Sequence, residues 1–158
     1  KKTFFIFILF FVSNIASAQS KQETIDWLNL KLKEFTDGFM GEYQFEIQFD
    51  AKLGVSLLLN VRIENEHMSR WYKNYTFTPT SISSVNTTTA LRTDGKLGLL
   101  IKSNGNYILY NGKELVNEIE IYCKPAPDET IIRLQKGIIH LLNLMGNPLK
   151  APKELFKD

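Results

Sequence analysis

The residue types that usually carry chemistry are scarce in this chain, and their spacing does not bring them together. There are two histidines and one cysteine. His67 follows Glu64 and Glu66, which reads as a solvated turn or at most a weak cation site, since a firm metal site needs several converging ligands. His140 shares one side of a helical pattern with Arg133, Lys136 and Asn143, a face suited to water. Cys123 alternates in step with Ile119 and Ile121 and is expected to lie buried on a strand. HExxH and CxxC spacings are missing, as are a G-x-S-x-G elbow and a glycine-rich loop between strand and helix. The carboxylates are scattered, so no acid pair of the glycosidase kind can be nominated. No catalytic residue, cofactor or metal ligand is assigned from the sequence.

Aromatic residues are the positive feature. Trp71, Tyr72, Tyr75 and Phe77 fall in one extended stretch, Tyr107 and Tyr110 in another. Alternation puts Trp71, Tyr75 and Phe77 on one face and Tyr72 on the other. Such a face packs a core, or, where it is exposed, anchors a ligand or partner. Trp71, Tyr75 and Phe77 are therefore the candidate ligand or partner residues. The hydroxyl-rich segment from Thr78 to Thr89 reads as a surface loop or as a lid over a pocket, with a short strand near Ile82 to Asn86. Asn74-Tyr75-Thr76 and Asn86-Thr87-Thr88 match N-glycosylation acceptors, which matter only in a host with that machinery.

The elements that must position these residues follow from periodicity. Ile25, Leu28, Leu32 and Phe35 form one helical stripe after a capping box at Ser20 and Glu23, predicting a helix from about Lys21 to Phe35. The period then changes to two. Tyr43 to Phe49 and Val55 to Ile63 form the clearest hairpin, followed by a third strand from Met68 to Phe77. Further strands are expected at Lys96 to Lys102, Asn106 to Tyr110 and Glu114 to Cys123, with Asn104-Gly105 and Asn111-Gly112 as tight hairpin turns. Short turns make these strands antiparallel. Asp128 is expected to cap a second helix running to Met145, stopped by Gly146-Asn147-Pro148. The fold class is α+β: an N-terminal helix, about seven antiparallel strands in a bent sheet or open barrel, and a C-terminal capping helix.

That element order, from Glu42 to Met145, resembles the pleckstrin-homology-like fold, a strongly bent sheet plugged by its last helix. Members of that family usually carry a tryptophan in the final helix, and this helix has none. The layout is also similar to that of small exported bacterial proteins of unknown function. Neither resemblance implies an activity. Phosphoinositide-binding members use basic residues around the first hairpin. Here Lys52 and Arg62 are offset by Glu46, Asp50 and Glu64, so headgroup binding is not expected.

Residues 1–18 set the compartment. Lys1 and Lys2, an apolar run from Thr3 to Val12 and the Ala16-Ser17-Ala18 site read as a secretory signal peptide. The apolar run is about half of the ~20 residues needed to span a bilayer. Residues 19–148 are expected to form one domain and 149–158 a tail. The two leader lysines account for the whole excess of 19 basic over 17 acidic residues. The remainder is near neutral, which excludes the basic footprint that nucleic acids require and disfavours anionic membranes. No membrane span is expected once the leader is removed.

Two hypotheses result. The first is a non-enzymatic binding or interaction module of the cell envelope, periplasmic or extracellular, with a small apolar or amphipathic molecule or another envelope protein as partner. The second is an envelope enzyme of the hydrolase type whose acids or histidines meet only in three dimensions. That reading requires a cleft with a buried, pKa-shifted carboxylate or histidine.

Overall fold

The computed structural model describes residues 21–36, 42–50, 54–65, 68–88, 98–124 and 127–150, with the side chains of 49–50, 63–65 and 68–72 excepted. Residues 1–18, read above as a leader, Ser20 of the expected capping box, His67 and the tail from 151 lie outside the described residues. Residues 21–35 form helix α1, whose stripe of Ile25, Leu28 and Leu32 is buried. Eight antiparallel strands follow: β1 (Glu42–Asp50), β2 (Gly54–Asn65), β3 (Met68–Phe77), β4 (Ile82–Thr88), β5 (Gly98–Ser103), β6 (Ile108–Tyr110), β7 (Glu114–Val116) and β8 (Glu118–Ile121). Helix α2 spans Asp128–Leu144. The strands make two open sheets, ordered β1-β2-β3-β6-β7 and β4-β5-β8.

The predicted hairpin sets the larger sheet. Phe45 faces Leu59 and Leu59 faces Tyr75, while Ile47, Leu57 and Phe77 form the next row. Alternation turns Tyr43, Phe45, Leu57, Leu59, Val61 and Phe77 into the core. The chain then crosses between the sheets three times. A 3-10 turn at Pro79–Ser81 carries β3 into β4, residues 104–107 carry β5 into β6, and Asn117 carries β7 into β8. The three crossings are stitched together: Asn104 N donates to Ser81 O (3.1 Å) and Ser103 N to Asn117 O (2.8 Å).

Three expectations change here. Asn104-Gly105 is not a hairpin turn, because β5 and β6 belong to different sheets. The single strand expected from Glu114 to Cys123 is two strands broken at Asn117, with inward Val116 and Ile119 three residues apart instead of two. The segment from Thr78 is neither a loop nor a lid. Proline at the first position sets the turn, and β4 pairs with β5 along its length. The short strand expected near Ile82 to Asn86 is present as β4, and a register shift between Ile82 and Ser84 lets Ile82 and Val85 both face inward.

Helix α2 packs on β4 and β5, burying Ile131, Leu134, Ile138, Ile139, Leu141 and Leu142. Pro127, not Asp128, occupies its N-cap. Asp128 and Glu129 sit in the first turn, where their charge complements the helix dipole. The stop is as expected. Gly146 has φ +93°, Gly146 N donates to Asn143 O (3.0 Å) and Asn147 N to Leu142 O (2.9 Å), the paired bonds of a Schellman motif. Cys123 is fully buried.

Helices α1 and α2 meet at Gly137. A methyl group there would stand 2.5 Å from Trp27 Cζ3 and 3.0 Å from Leu28 Cδ2. Alanine improves helix propensity by about 1 kcal/mol, but overpacking a filled contact costs about 1–3 kcal/mol. Gly137→Ala should therefore lower stability by roughly 1 kcal/mol in urea unfolding followed by circular dichroism. In a Trp27→Ala background the same change should be neutral or stabilising. Equal destabilisation in both backgrounds would show that Trp27 is not the contact.

Candidate functional site

The inner face of the larger sheet is not covered everywhere. Tyr43 on β1, Val61 on β2 and Lys73 on β3 form one cross-strand row, and with Tyr75 they line a cleft of about 370 Å³. Its other wall is the bend between β7 and β8: Val116, Asn117, Glu118, Glu120 and Tyr122.

Tyr43, Tyr122 and Glu120 are joined by hydrogen bonds. Tyr43 is almost wholly buried, and its hydroxyl accepts the Tyr122 backbone N–H at 3.2 Å. Burial pushes the Tyr43 phenol well above its ordinary value. The Tyr122 hydroxyl donates to Glu120 Oε2 at 2.7 Å; that bond, followed by burial, pushes its pKa up to about 12. Tyr75 is half-buried, with its ring centroid 5.2 Å from that of Tyr110 at a 36° tilt. Burial raises its pKa too, helped by Tyr110 and Glu120. All three phenols thus stay protonated through neutral pH, and with the Tyr122 proton given to Glu120 in a hydrogen bond and Tyr43 buried, Tyr75 is the phenol that can donate to the opening. Lys73 is half-buried and makes no ion pair among the described residues.

The backbone of β8 contributes as well. Asn117 O accepts from Ser103 N on the β5 side, whereas Tyr122 N donates to Tyr43 on the opposite side. In an antiparallel ladder successive residues turn their N–H and C=O to opposite edges. Ile119 and Ile121 therefore bond toward β5, and the backbone groups of Glu118 and Glu120 point into the cleft. Phenols, an ammonium, two carboxylates and an open strand edge can hold a ligand through directed hydrogen bonds.

Of the sequence candidates, Tyr75 lines this cleft. Phe77 is 1% exposed and belongs to the core, out of reach of any surface partner. The side chain of Trp71 lies outside the described residues. Sequence reasoning passed over Tyr43, Lys73, Glu120 and Tyr122. The signal was available in Lys73, which falls on the same face as Tyr75 and Phe77, where a charged residue calls for an explanation. His140 is exposed on α2, and no group of three or more histidines, cysteines or acids able to hold a metal occurs among the described residues.

A larger groove of about 770 Å³ runs between α1 and the outer face of β1, β2 and β3, lined by Lys33, Glu42, Gln44, Asn60, Arg62 and Asn74 among others. Apart from buried Tyr43, which it shares with the cleft, its sheet residues belong to the outer face of their strands, where polar side chains are ordinary. The smaller cleft places polar groups at core-facing positions, which is not ordinary, and it is the better site. No helix among the described residues is long and apolar enough to cross a membrane.

No known family pattern, curated protein or solved structure matches the chain. The pleckstrin-homology likeness therefore rests on element order alone.

The raised phenols make a pH prediction. The unfolded chain releases its tyrosine protons near pH 10, whereas folded Tyr122 holds its proton to about 12. The folded state binds more protons in that window, so this stabilisation is complete below pH 10 and is lost as pH rises toward 12. Phenolate absorbance titration of the native protein should show late-titrating tyrosines, and Tyr122→Phe should remove one of them and flatten the alkaline loss of stability. Every tyrosine titrating near its ordinary value would contradict the geometry.

Proposed function

We propose that this protein is a non-enzymatic binding module, exported to the periplasm or cell exterior, that holds an amphipathic small molecule or a segment of another envelope protein in the cleft between its sheets. One observation carries the reading: a lysine and three phenols at inward or edge positions surround an opening instead of closing it with apolar side chains. Burying polar groups is unfavourable unless they find partners, so a core row interrupted by Lys73 calls for an occupant or a role. The 370 Å³ volume is within the usual range for small-ligand pockets, roughly 300–1,000 Å³. The leader-like residues 1–18 and the near-neutral remainder of the chain support an exported setting and argue against nucleic acid as the partner.

Native mass spectrometry of the protein, purified gently from the envelope fraction, tests this. The expected result is a non-covalent added mass that is released on unfolding. Lys73→Gln and Tyr75→Ala variants, checked for native circular dichroism, should lose it. An added mass that persists in both variants would place the ligand elsewhere, and a bare chain from every preparation would count against the binding role.

A further inference from the structure

We infer that the occupant of this cleft is a short extended peptide ending in a carboxylate, which joins the smaller sheet beside β8 and sets that carboxylate against Lys73. The inference rests on the binding reading above and specifies its ligand. Beyond Glu120 the edge of β8 is already taken. Tyr43 accepts the Tyr122 N–H, Thr36 pairs with Cys123, and Lys124 N donates to Phe35 O at 2.7 Å. On the other side the chain bends away at Asn117 into β7, in the other sheet. Among the described residues of β8, Glu118 and Glu120 leave their backbone groups open on the side of Tyr43, an edge window of about 7 Å at ~3.4 Å per residue. An extended chain is the ligand whose N–H and C=O groups recur at the spacing of that edge.

Charge selects the end of the peptide. Both cleft carboxylates are engaged: Glu118 lies 3.6 Å from Lys102, and Glu120 accepts from the Tyr122 hydroxyl. Lys73 has no ion-pair partner among the described residues, and the Tyr75 hydroxyl stands beside it in the same lining. Lys73 is also the one cation among the described lining residues. A terminal carboxylate complements that cation, with charge-assisted hydrogen bonds from the ammonium and the Tyr75 phenol. Recognition through main chain and terminus tolerates varied side chains, so a mixed-sequence probe is suitable.

The probe is a pool of random N-acetylated tetrapeptides with free C-termini, titrated into the isotope-labelled full chain and read by amide NMR. A matched pool amidated at the C-terminus is the control. The backbone amides of Glu118 and Glu120 should shift and exchange at least about tenfold more slowly with the free-acid pool. Amidation, or Lys73→Gln in a protein whose remaining resonances are unmoved, should weaken binding about tenfold, the loss of one good charged contact. No response at Glu118 and Glu120, or equal responses to acid and amide, would overturn the inference. If native mass spectrometry still finds a small-molecule adduct that depends on Lys73 and Tyr75, only the peptide assignment falls and the binding reading stands. Failure of both experiments removes both.

Discussion

An open sheet leaves backbone donors and acceptors along its outer strands, and each one buried without a partner costs about 1–3 kcal/mol. This protein has two open sheets and therefore several such edges to satisfy. It does so largely with polar side chains. Asn29 of α1 acts as a surrogate strand residue: its amide donates to Phe45 O (3.0 Å) and accepts from Phe45 N (2.7 Å) on β1. Gln135 of α2, buried, donates to Val85 O (2.7 Å) on β4. Asn147, just past α2, donates to Pro79 O and Ile82 O (2.7 Å each), fixing the corner where β3 passes into β4. The helices are thus apolar lids and also hydrogen-bond partners for the strands they flank.

The site is what this scheme leaves over. Along β8 the same kind of closure begins with the Tyr43 hydroxyl on Tyr122 and the Thr36–Cys123 bridge, and it stops before Glu120. There the inner row of the larger sheet changes from Phe45 and Leu59 to Tyr43, Val61 and Lys73. An apolar core row becomes a polar cleft within one pleat. Because Tyr43 and Tyr75 hang from paired strands, the donors are held by the scaffold and not by a loop, which limits the ordering cost of binding.

Much of the fold is legible in the sequence because each long element carries its own period. The stripe of Ile25, Leu28 and Leu32, the alternation from Tyr43 to Ile63 and the Gly146 stop each depend on near neighbours only. Asn111 and Gly112, both at positive φ, likewise make the turn that their residue types favour. The two-sheet arrangement was hidden where the period slips. Ile82 and Val85, and again Val116 and Ile119, are three apart because a bulge or a break intervenes. The edge-closing roles of Asn29, Gln135 and Asn147 join residues far apart in the chain, so no local pattern announces them. For the site, Tyr75 was legible as an aromatic on the inward face. Phe77 shares that face and is simply core, since the same alternation that selects one selects the other and only the extent of the opposing sheet separates them.

Among the described residues, side chains close the edge of β1 at Phe45 and of β4 at Val85, whereas the stretch of β8 at Glu118 and Glu120 is left open. Native-state amide exchange on the free protein tests it most directly, because it reads each backbone donor separately. Slow exchange is expected at Phe45, although β1 is an outer strand, and at Ile119 and Ile121. Glu118 and Glu120, between and beside them, should exchange fastest in β8. Uniform protection along β8 would mean that its edge is covered, and a rapidly exchanging Phe45 would mean that Asn29 does not close β1; either result would contradict the account.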